Sequence, residues 1–71
     1  MDYAKVKGFN DLTEKQKDLF IRTNKHHIGF VGLDYKKDKE PVAVWVDKRN
    51  NVCAKLKDGD WYHYLENGTW Y

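Results

Sequence analysis

Five of the eleven aromatic residues of this 71-residue chain lie in its last eleven positions. The turn signal Asn67-Gly68 interrupts this group, and a second signal, Asp58-Gly59, precedes it. Aromatic residues between Asx-Gly pairs are typical of antiparallel strands joined by tight hairpins. We therefore predict β-hairpins here, with turns that determine which side chains share a face. The aromatic group consists of Trp61, Tyr62, Tyr64, Trp70 and Tyr71.

Length and composition indicate one small domain, residues 1–71, with little stability to spare. The single cysteine, Cys53, rules out an intrachain disulfide and favours a reducing compartment. Basic and acidic residues are interspersed and give a net charge of +2, which is too weak to indicate nucleic acid by itself. The longest apolar run, 42–46, is too short for a membrane span. We expect a soluble, cytoplasmic protein.

A helical pattern covers residues 11–27, and we predict one helix near 12–27. Two capping boxes compete for its start, Asp11 with Glu14 and Thr13 with Gln16. The residues that fall on one face of this helix are Leu12, Gln16, Leu19, Phe20, Thr23 and His27.

Residues 28–35 predict a strand with a bulge or close backbone approach, and the charged residues 36–40 predict a loop. Four further strands are predicted at 42–46, 52–57, 61–65 and 69–71, and residues 3–7 could add an edge strand. The predicted fold class is α+β. One N-terminal helix packs on one face of a four- or five-stranded, mainly antiparallel β-meander.

Turn lengths decide the two faces of this sheet. If Asp58-Gly59 is a two-residue type I′ loop, Leu56 pairs with Trp61. A five-residue loop over 47–51 is preferred to a four-residue one, which would turn Asp47 toward the core. The apolar face then carries Val52, Ala54, Leu56, Trp61, His63, Leu65 and Trp70. The opposite, aromatic and basic face is the predicted binding site, with Trp45, Lys55, Lys57, Tyr62, Tyr64 and Tyr71.

The aromatic residues of that face could serve only to stabilise the fold, because cross-strand aromatic pairs stabilise a sheet by roughly 0.2 to 1 kcal/mol each. Residues 1–9 could also cover it. The alternative is that it binds a protein partner or a second copy of the chain, since Trp and Tyr supply much of the binding energy at interfaces. Binding of single-stranded nucleic acid is a further alternative, in which Lys48 and Arg49 would join Lys55 and Lys57 at the phosphates.

Catalysis and metal binding have weaker support. The imidazoles are His26, His27 and His63, and Cys53 is the one thiol. Adjacent histidines on a helix point about 100° apart. On the predicted register, Cys53 and His63 lie on opposite faces and do not meet. We therefore predict no catalytic residue, metal ligand or cofactor, and expect a non-catalytic interaction module rather than an enzyme.

Residues 59–68, Gly-Asp-Trp-Tyr-His-Tyr-Leu-Glu-Asn-Gly, resemble a single unit of the choline-binding cell-wall repeats. Such repeats form hairpins with a Gly, a Trp-Tyr-Tyr-Leu run and a further Gly. Here His63 is inserted before Tyr64, and no tandem copy exists to complete an aromatic cage. The resemblance implies a hairpin with aromatic strands, and no choline site is carried over from it.

Overall fold

The structure, a computed structural model, describes residues 2–30 and 40–71. Two short 3₁₀ turns, Tyr3–Lys5 and Phe9–Asp11, precede helix α1, Glu14–Phe30. Three strands follow, β1 (Pro41–Val46), β2 (Val52–Leu56) and β3 (Trp61–Tyr64), and they form an antiparallel sheet in the order β1-β2-β3. The α+β class is confirmed. Within the described ranges the sheet has three strands, not the predicted four or five.

Two of the predicted strands, 69–71 and 3–7, each form only one isolated β-bridge. Residues 69–71 contribute one bridge, between Trp70 and Tyr64, and the next residue, Tyr71, exchanges two backbone hydrogen bonds with His63. The predicted edge strand over 3–7 is instead a 3₁₀ turn followed by a bridge from Lys7 to Ala43. In both places an adjacent turn limits how far pairing can extend.

The strand predicted over 28–35 is wrong at its start, because Ile28, Gly29 and Phe30 continue the helix. The rest of that range lies outside the described residues, as does most of the predicted charged loop at 36–40. No helix in the described part of the chain combines the length and apolarity needed to cross a membrane.

The helix begins with the second of the two competing capping boxes. The Thr13 hydroxyl accepts a hydrogen bond from the Gln16 backbone N–H at 3.1 Å, and the Gln16 side chain accepts one from the Thr13 N–H at 2.9 Å. This reciprocal pair satisfies two donors at the start of the helix, where backbone N–H groups lack intrahelical partners.

Replacing Thr13 with alanine is expected to lower the free energy of unfolding by about 1 kcal/mol, because it removes this cap. Urea denaturation followed by circular dichroism measures the effect. Asp11→Ala, in the box that the helix does not use, is the matched control and should change stability by no more than about 0.5 kcal/mol. Equal losses in both variants would contradict the assignment.

The three hairpin loops among the described residues share one three-residue form. They close with backbone hydrogen bonds from Asp47 to Asn51, Leu56 to Asp60 and Leu65 to Thr69, at 3.0, 2.8 and 2.8 Å. The five residues 47–51 predicted as the first loop include its closing pair, Asp47 and Asn51. The third loop residue has a positive φ in each case: 66° at Asn50, 95° at Gly59 and 85° at Gly68. This is the arrangement of a type I turn followed by a left-handed residue. The two Asx-Gly pairs are therefore not two-residue loops.

The register of the first hairpin matches the prediction, because Val46 pairs with Val52. The register of the second hairpin differs from the predicted one by one residue, because Ala54 lies opposite Tyr62 and Cys53 opposite His63. A shift of one residue turns every side chain of a strand to the other face. The predicted faces of β3 are thus exchanged.

Of the three apolar residues expected to bury against the sheet, Leu12 and Phe20 are buried and Leu19 is half-buried. The core also contains Tyr64, which is only 1% exposed. Trp61, predicted to be buried, is 54% exposed. Val6 and Phe9 belong to the same core cluster, so these residues of the N-terminal arm pack with it. The buried hydrophobic residues are Val6, Phe9, Leu12, Phe20, Val44, Val52, Cys53, Ala54, Leu56 and Tyr64.

Candidate functional site

The six residues predicted to bind a partner do not form one surface. Trp45 and Lys55 are exposed on the side of the sheet opposite the core, which we call the outer side, and Tyr71 is exposed beside His63. Lys57 is exposed in the β2–β3 loop. The remaining two, Tyr62 and Tyr64, face the core, so the prediction that they are surface residues with Trp45 is wrong. The physical cause is the extra residue in the loop before β3.

Tyr64 is held by a buried polar network as well as by ring packing. Its ring stacks on Phe20 with centroids 6.0 Å apart. Its hydroxyl accepts a hydrogen bond from Asn24 Nδ2 at 3.2 Å and shares another with His27 Nδ1 at 3.1 Å. The Tyr3 hydroxyl donates to Asn24 Oδ1 at 2.9 Å, and burial raises the pKa of this hydroxyl. These contacts link the N-terminal arm, the helix and β3.

Tyr62 and Trp70 enclose His27 on the same side. The His27 ring stacks on Trp70 at 4.7 Å with an interplanar angle of 22°, and it meets Tyr62 edge-on at 4.6 Å. His27 is itself buried. Tyr62, Tyr64 and His27 therefore have structural partners in the core.

The outer side carries a continuous row of rings, which we call the outer aromatic row: Trp45, Trp61, His63 and Tyr71. Successive ring centroids lie 5.9, 5.1 and 4.7 Å apart, and the His63 and Tyr71 rings are nearly parallel at 9°. Trp45 is 39% exposed, Trp61 54% and Tyr71 64%. The row extends from β1 across β3 to the segment that follows it.

Trp61 and His63 are site residues that sequence reasoning placed on the wrong face. Two signals could have placed them correctly. Glycine is favoured at the fourth position of a type I turn, so Leu56-Lys57-Asp58-Gly59 also fits a three-residue loop. In addition, the predicted helix face includes His27, and a buried polar group needs a hydrogen-bond partner. A tyrosine hydroxyl can provide one, because it both donates and accepts.

Three potential ligand side chains converge beside the outer aromatic row. Asp47, Cys53 and His63 each place a donor atom within 4.8 Å of the other two, and we call them the Asp-Cys-His cluster. Cys53 lies directly opposite His63 across β2 and β3. The expectation that these two cannot meet is wrong, for the same reason of register.

The Asp47 carboxylate is oriented by its own turn. One oxygen, Oδ1, accepts hydrogen bonds from the backbone N–H groups of Arg49 and Asn51, both at 2.9 Å. The other oxygen, Oδ2, lies 3.7 Å from His63 Nε2. The Asn51 N–H chiefly holds the pKa of Asp47 below its usual value, and Arg49 and His63 lower it further. Asp47 thus presents an ionised carboxylate to the cluster.

Cys53 is buried, and its pKa is raised by that burial and by the negative charge of Asp47. An activated cysteine nucleophile has the opposite properties, a lowered pKa and some exposure. Cys53 therefore lacks the properties of an activated nucleophile.

The chain matches no protein-family model, no curated protein and no solved structure.

Proposed function

We propose that this chain is a small, non-catalytic interaction module of the cytoplasm that binds a protein partner, or a second copy of itself, through the outer aromatic row. The observation that carries the proposal is that Trp45, Trp61 and Tyr71 are all exposed and belong to one row of contacting rings. A chain of this size has little apolar area for its core. Exposed aromatic side chains in contact with one another are a recurring feature of interaction sites.

The contacts within the row support binding at low entropic cost. Trp61 touches Trp45 on one side and His63 on the other, and His63 stacks on Tyr71. Rings restrained in this way lose little rotamer freedom when a partner covers them. Rigid Trp and Tyr side chains also provide much of the energy of natural interfaces.

The charged residues near the row favour a partner with acidic groups around an apolar centre. Lys55 is exposed and lies opposite Trp61 in the β-ladder, and Lys57 is exposed in the loop that follows β2. Lysines at the rim of an interface steer oppositely charged partners more than they add affinity. The raised pKa of the buried Cys53 thiol argues against a cysteine nucleophile.

The test is a double variant, Trp61→Ala with Tyr71→Ala. If the row is an interface, the double variant should bind at least about 30-fold more weakly, since hot-spot aromatics contribute 2 kcal/mol or more. Self-association is measured by sedimentation equilibrium over a concentration series. A partner is sought by photo-crosslinking from position 61 and, as a control, from position 25 on the exposed helix surface.

Lys25→Ala is the control substitution, and it should leave binding unchanged. The proposal would be overturned by a monomer at every concentration together with identical crosslinked products from positions 61 and 25. It would also be overturned if the double variant, folded by circular dichroism, bound the partner as well as the wild type does.

A second candidate, single-stranded nucleic acid, is favoured by one observation. Lys48 and Arg49 line the same surface depression as His63 and Tyr71. Aromatic rings stack on unpaired bases while nearby cations meet the phosphates. Titration of tryptophan fluorescence with oligothymidylate at two salt concentrations distinguishes this function, because phosphate contacts weaken as salt rises. A tryptophan fluorescence spectrum that did not change on titration at low salt would exclude binding of single-stranded nucleic acid.

A further inference from the structure

The Asp-Cys-His cluster brings together the three types of side chain that bind transition metals most often. A thiol, an imidazole and a carboxylate place their donor atoms within 4.8 Å of one another. Each donor comes from a different position in the sheet: Asp47 follows β1, Cys53 lies in β2 and His63 lies in β3. We propose that these residues form a binding site for a zinc-type divalent ion.

The distances are close to those of a bound ion. Zinc ligands lie at roughly 2.0–2.3 Å from the metal, so tetrahedral geometry separates them from one another by roughly 3.3–3.8 Å. Asp47 Oδ2 and His63 Nε2 are already 3.7 Å apart. All three donor atoms lie within 4.8 Å of one another. The third donor must therefore approach by about 1 Å to reach the tetrahedral separation.

The surroundings orient the donors before an ion arrives. Two backbone N–H groups hold Asp47 Oδ1 and leave Oδ2 directed toward His63. The His63 ring lies between Trp61 at 5.1 Å and Tyr71 at 4.7 Å. Cys53 belongs to the central strand, which pairs on both sides, and its thiol donates a hydrogen bond to the Asn51 carbonyl at 3.8 Å that metal binding would replace. Donors supported in this way need little reorganisation to bind a metal.

The donor set selects the class of ion. A thiolate and an imidazole favour Zn²⁺ and Co²⁺, whereas Ca²⁺ and Mg²⁺ prefer sets made only of oxygen ligands. When Cys53 ionises, the thiolate and the Asp47 carboxylate together carry two negative charges, which match a divalent cation. Because the thiolate is the form that binds a metal, ligation by Cys53 releases the thiol proton.

Two of the three proposed ligands can be reached from solvent. Asp47 and His63 line a surface depression of about 360 Å³, together with Lys48, Arg49, Asn51 and Tyr71. Water, or a donor atom from a bound molecule, could complete the coordination there. The inference does not depend on the proposed interaction function, because the three ligands belong to a single chain.

The experiment is titration of the wild-type protein with Co²⁺, which reports on its ligands by absorption. Binding at the cluster should produce a thiolate-to-cobalt charge-transfer band and the intense visible bands of a tetrahedral ion, at a stoichiometry of one. Zn²⁺ should displace the cobalt and raise the melting temperature by several degrees when present well above its dissociation constant.

Three substitutions test the ligands, and one histidine outside the cluster provides the control. Cys53→Ser should abolish the charge-transfer band. His63→Gln and Asp47→Asn should each weaken affinity at least about tenfold, and the asparagine can still accept the backbone hydrogen bonds of the turn. His26→Gln, at an exposed position on the helix, should bind Co²⁺ as the wild type does.

Two results would overturn the proposal. The first is a wild-type titration with no charge-transfer band at millimolar Co²⁺, which requires no variant to fold. The second is an equal loss of affinity in His26→Gln and His63→Gln. Neither result bears on binding of a partner by the outer aromatic row, which is measured with Trp61→Ala and Tyr71→Ala.

Discussion

Tyr64→Phe is expected to lower the free energy of unfolding by about 1–3 kcal/mol, because it removes a hydroxyl that two buried groups share. Asn24 Nδ2 and His27 Nδ1 bond to that oxygen at 3.2 and 3.1 Å. Both residues are buried, so water cannot readily replace the lost partner. Urea denaturation followed by near- and far-ultraviolet circular dichroism measures the loss.

Tyr64→Ala should have a larger effect and leave the chain largely unfolded at 25 °C. Removing a large buried aromatic ring costs about 3–5 kcal/mol, and a domain of this size has a total stability of only about that amount. The Tyr64 ring stacks on Phe20 and contacts His27 edge-on. Loss of the circular dichroism signal of both helix and sheet is the expected observation.

Thr23→Val is the matched control for loss of a buried hydroxyl. Among the described residues, Thr23 Oγ1 is a buried side-chain oxygen with no hydrogen-bond partner. Its removal should therefore be neutral or stabilising by up to about 1 kcal/mol. A cost below about 0.5 kcal/mol for Tyr64→Phe would match an exposed tyrosine and would contradict the register described above.

Gly8→Ala is expected to cost about 2–4 kcal/mol. The residue has φ of +90°, and a Cβ at this position would overlap the carbonyl oxygen of Val44 in β1. The obstacle is backbone, which cannot move aside as a side-chain tip can. Relief requires the arm to shift, and the hydrogen bond from the Val44 N–H to the Lys7 carbonyl at 2.8 Å would then be strained.

Substitutions at two other glycines separate the cost of a positive φ from the cost of the steric overlap. Gly59→Ala keeps the penalty of a positive φ without any close contact, and should cost about 1–2 kcal/mol. Gly29→Ala meets neither obstacle, and should stabilise the helix by up to about 1 kcal/mol. Thermal melts of the three variants give the order. If Gly8→Ala were no worse than Gly59→Ala, close packing of the arm on β1 would be refuted.

The sequence predicted the helix well because its signals are local. Thr13 and Gln16 form a cap from adjacent residues, and the 3.6-residue period identified Phe20, Thr23 and His27 as one buried face. The helix continues three residues beyond its predicted end, through Ile28-Gly29-Phe30. The first hairpin was also predicted with the correct register, because burial of Asp47 made the alternative expensive.

The faces of β3 could not be predicted with the same security, because both of its alternating sets are rich in aromatic rings. Trp61 and His63 would fill a core as plausibly as Tyr62 and Tyr64 by hydrophobicity alone. Which set faces the core depends on the length of the loop before β3. Asp58-Gly59 is compatible with a two-residue and a three-residue loop, and these bury opposite sets of side chains. The Asp-Cys-His cluster was missed as a consequence, since it exists only when Cys53 and His63 share a face.

Three consecutive loops with an odd number of residues give this small protein an unusual sensitivity to changes in length. Surface connections ordinarily tolerate insertions and deletions. Here, loss of one residue between β2 and β3 would exchange the solvent-facing and buried side chains of β3, whereas a two-residue insertion would preserve them. Length changes of two residues in these loops should therefore be tolerated better than changes of one residue. Deletion of a single residue would place the buried side chains of β3 in solvent and its exposed side chains in the core.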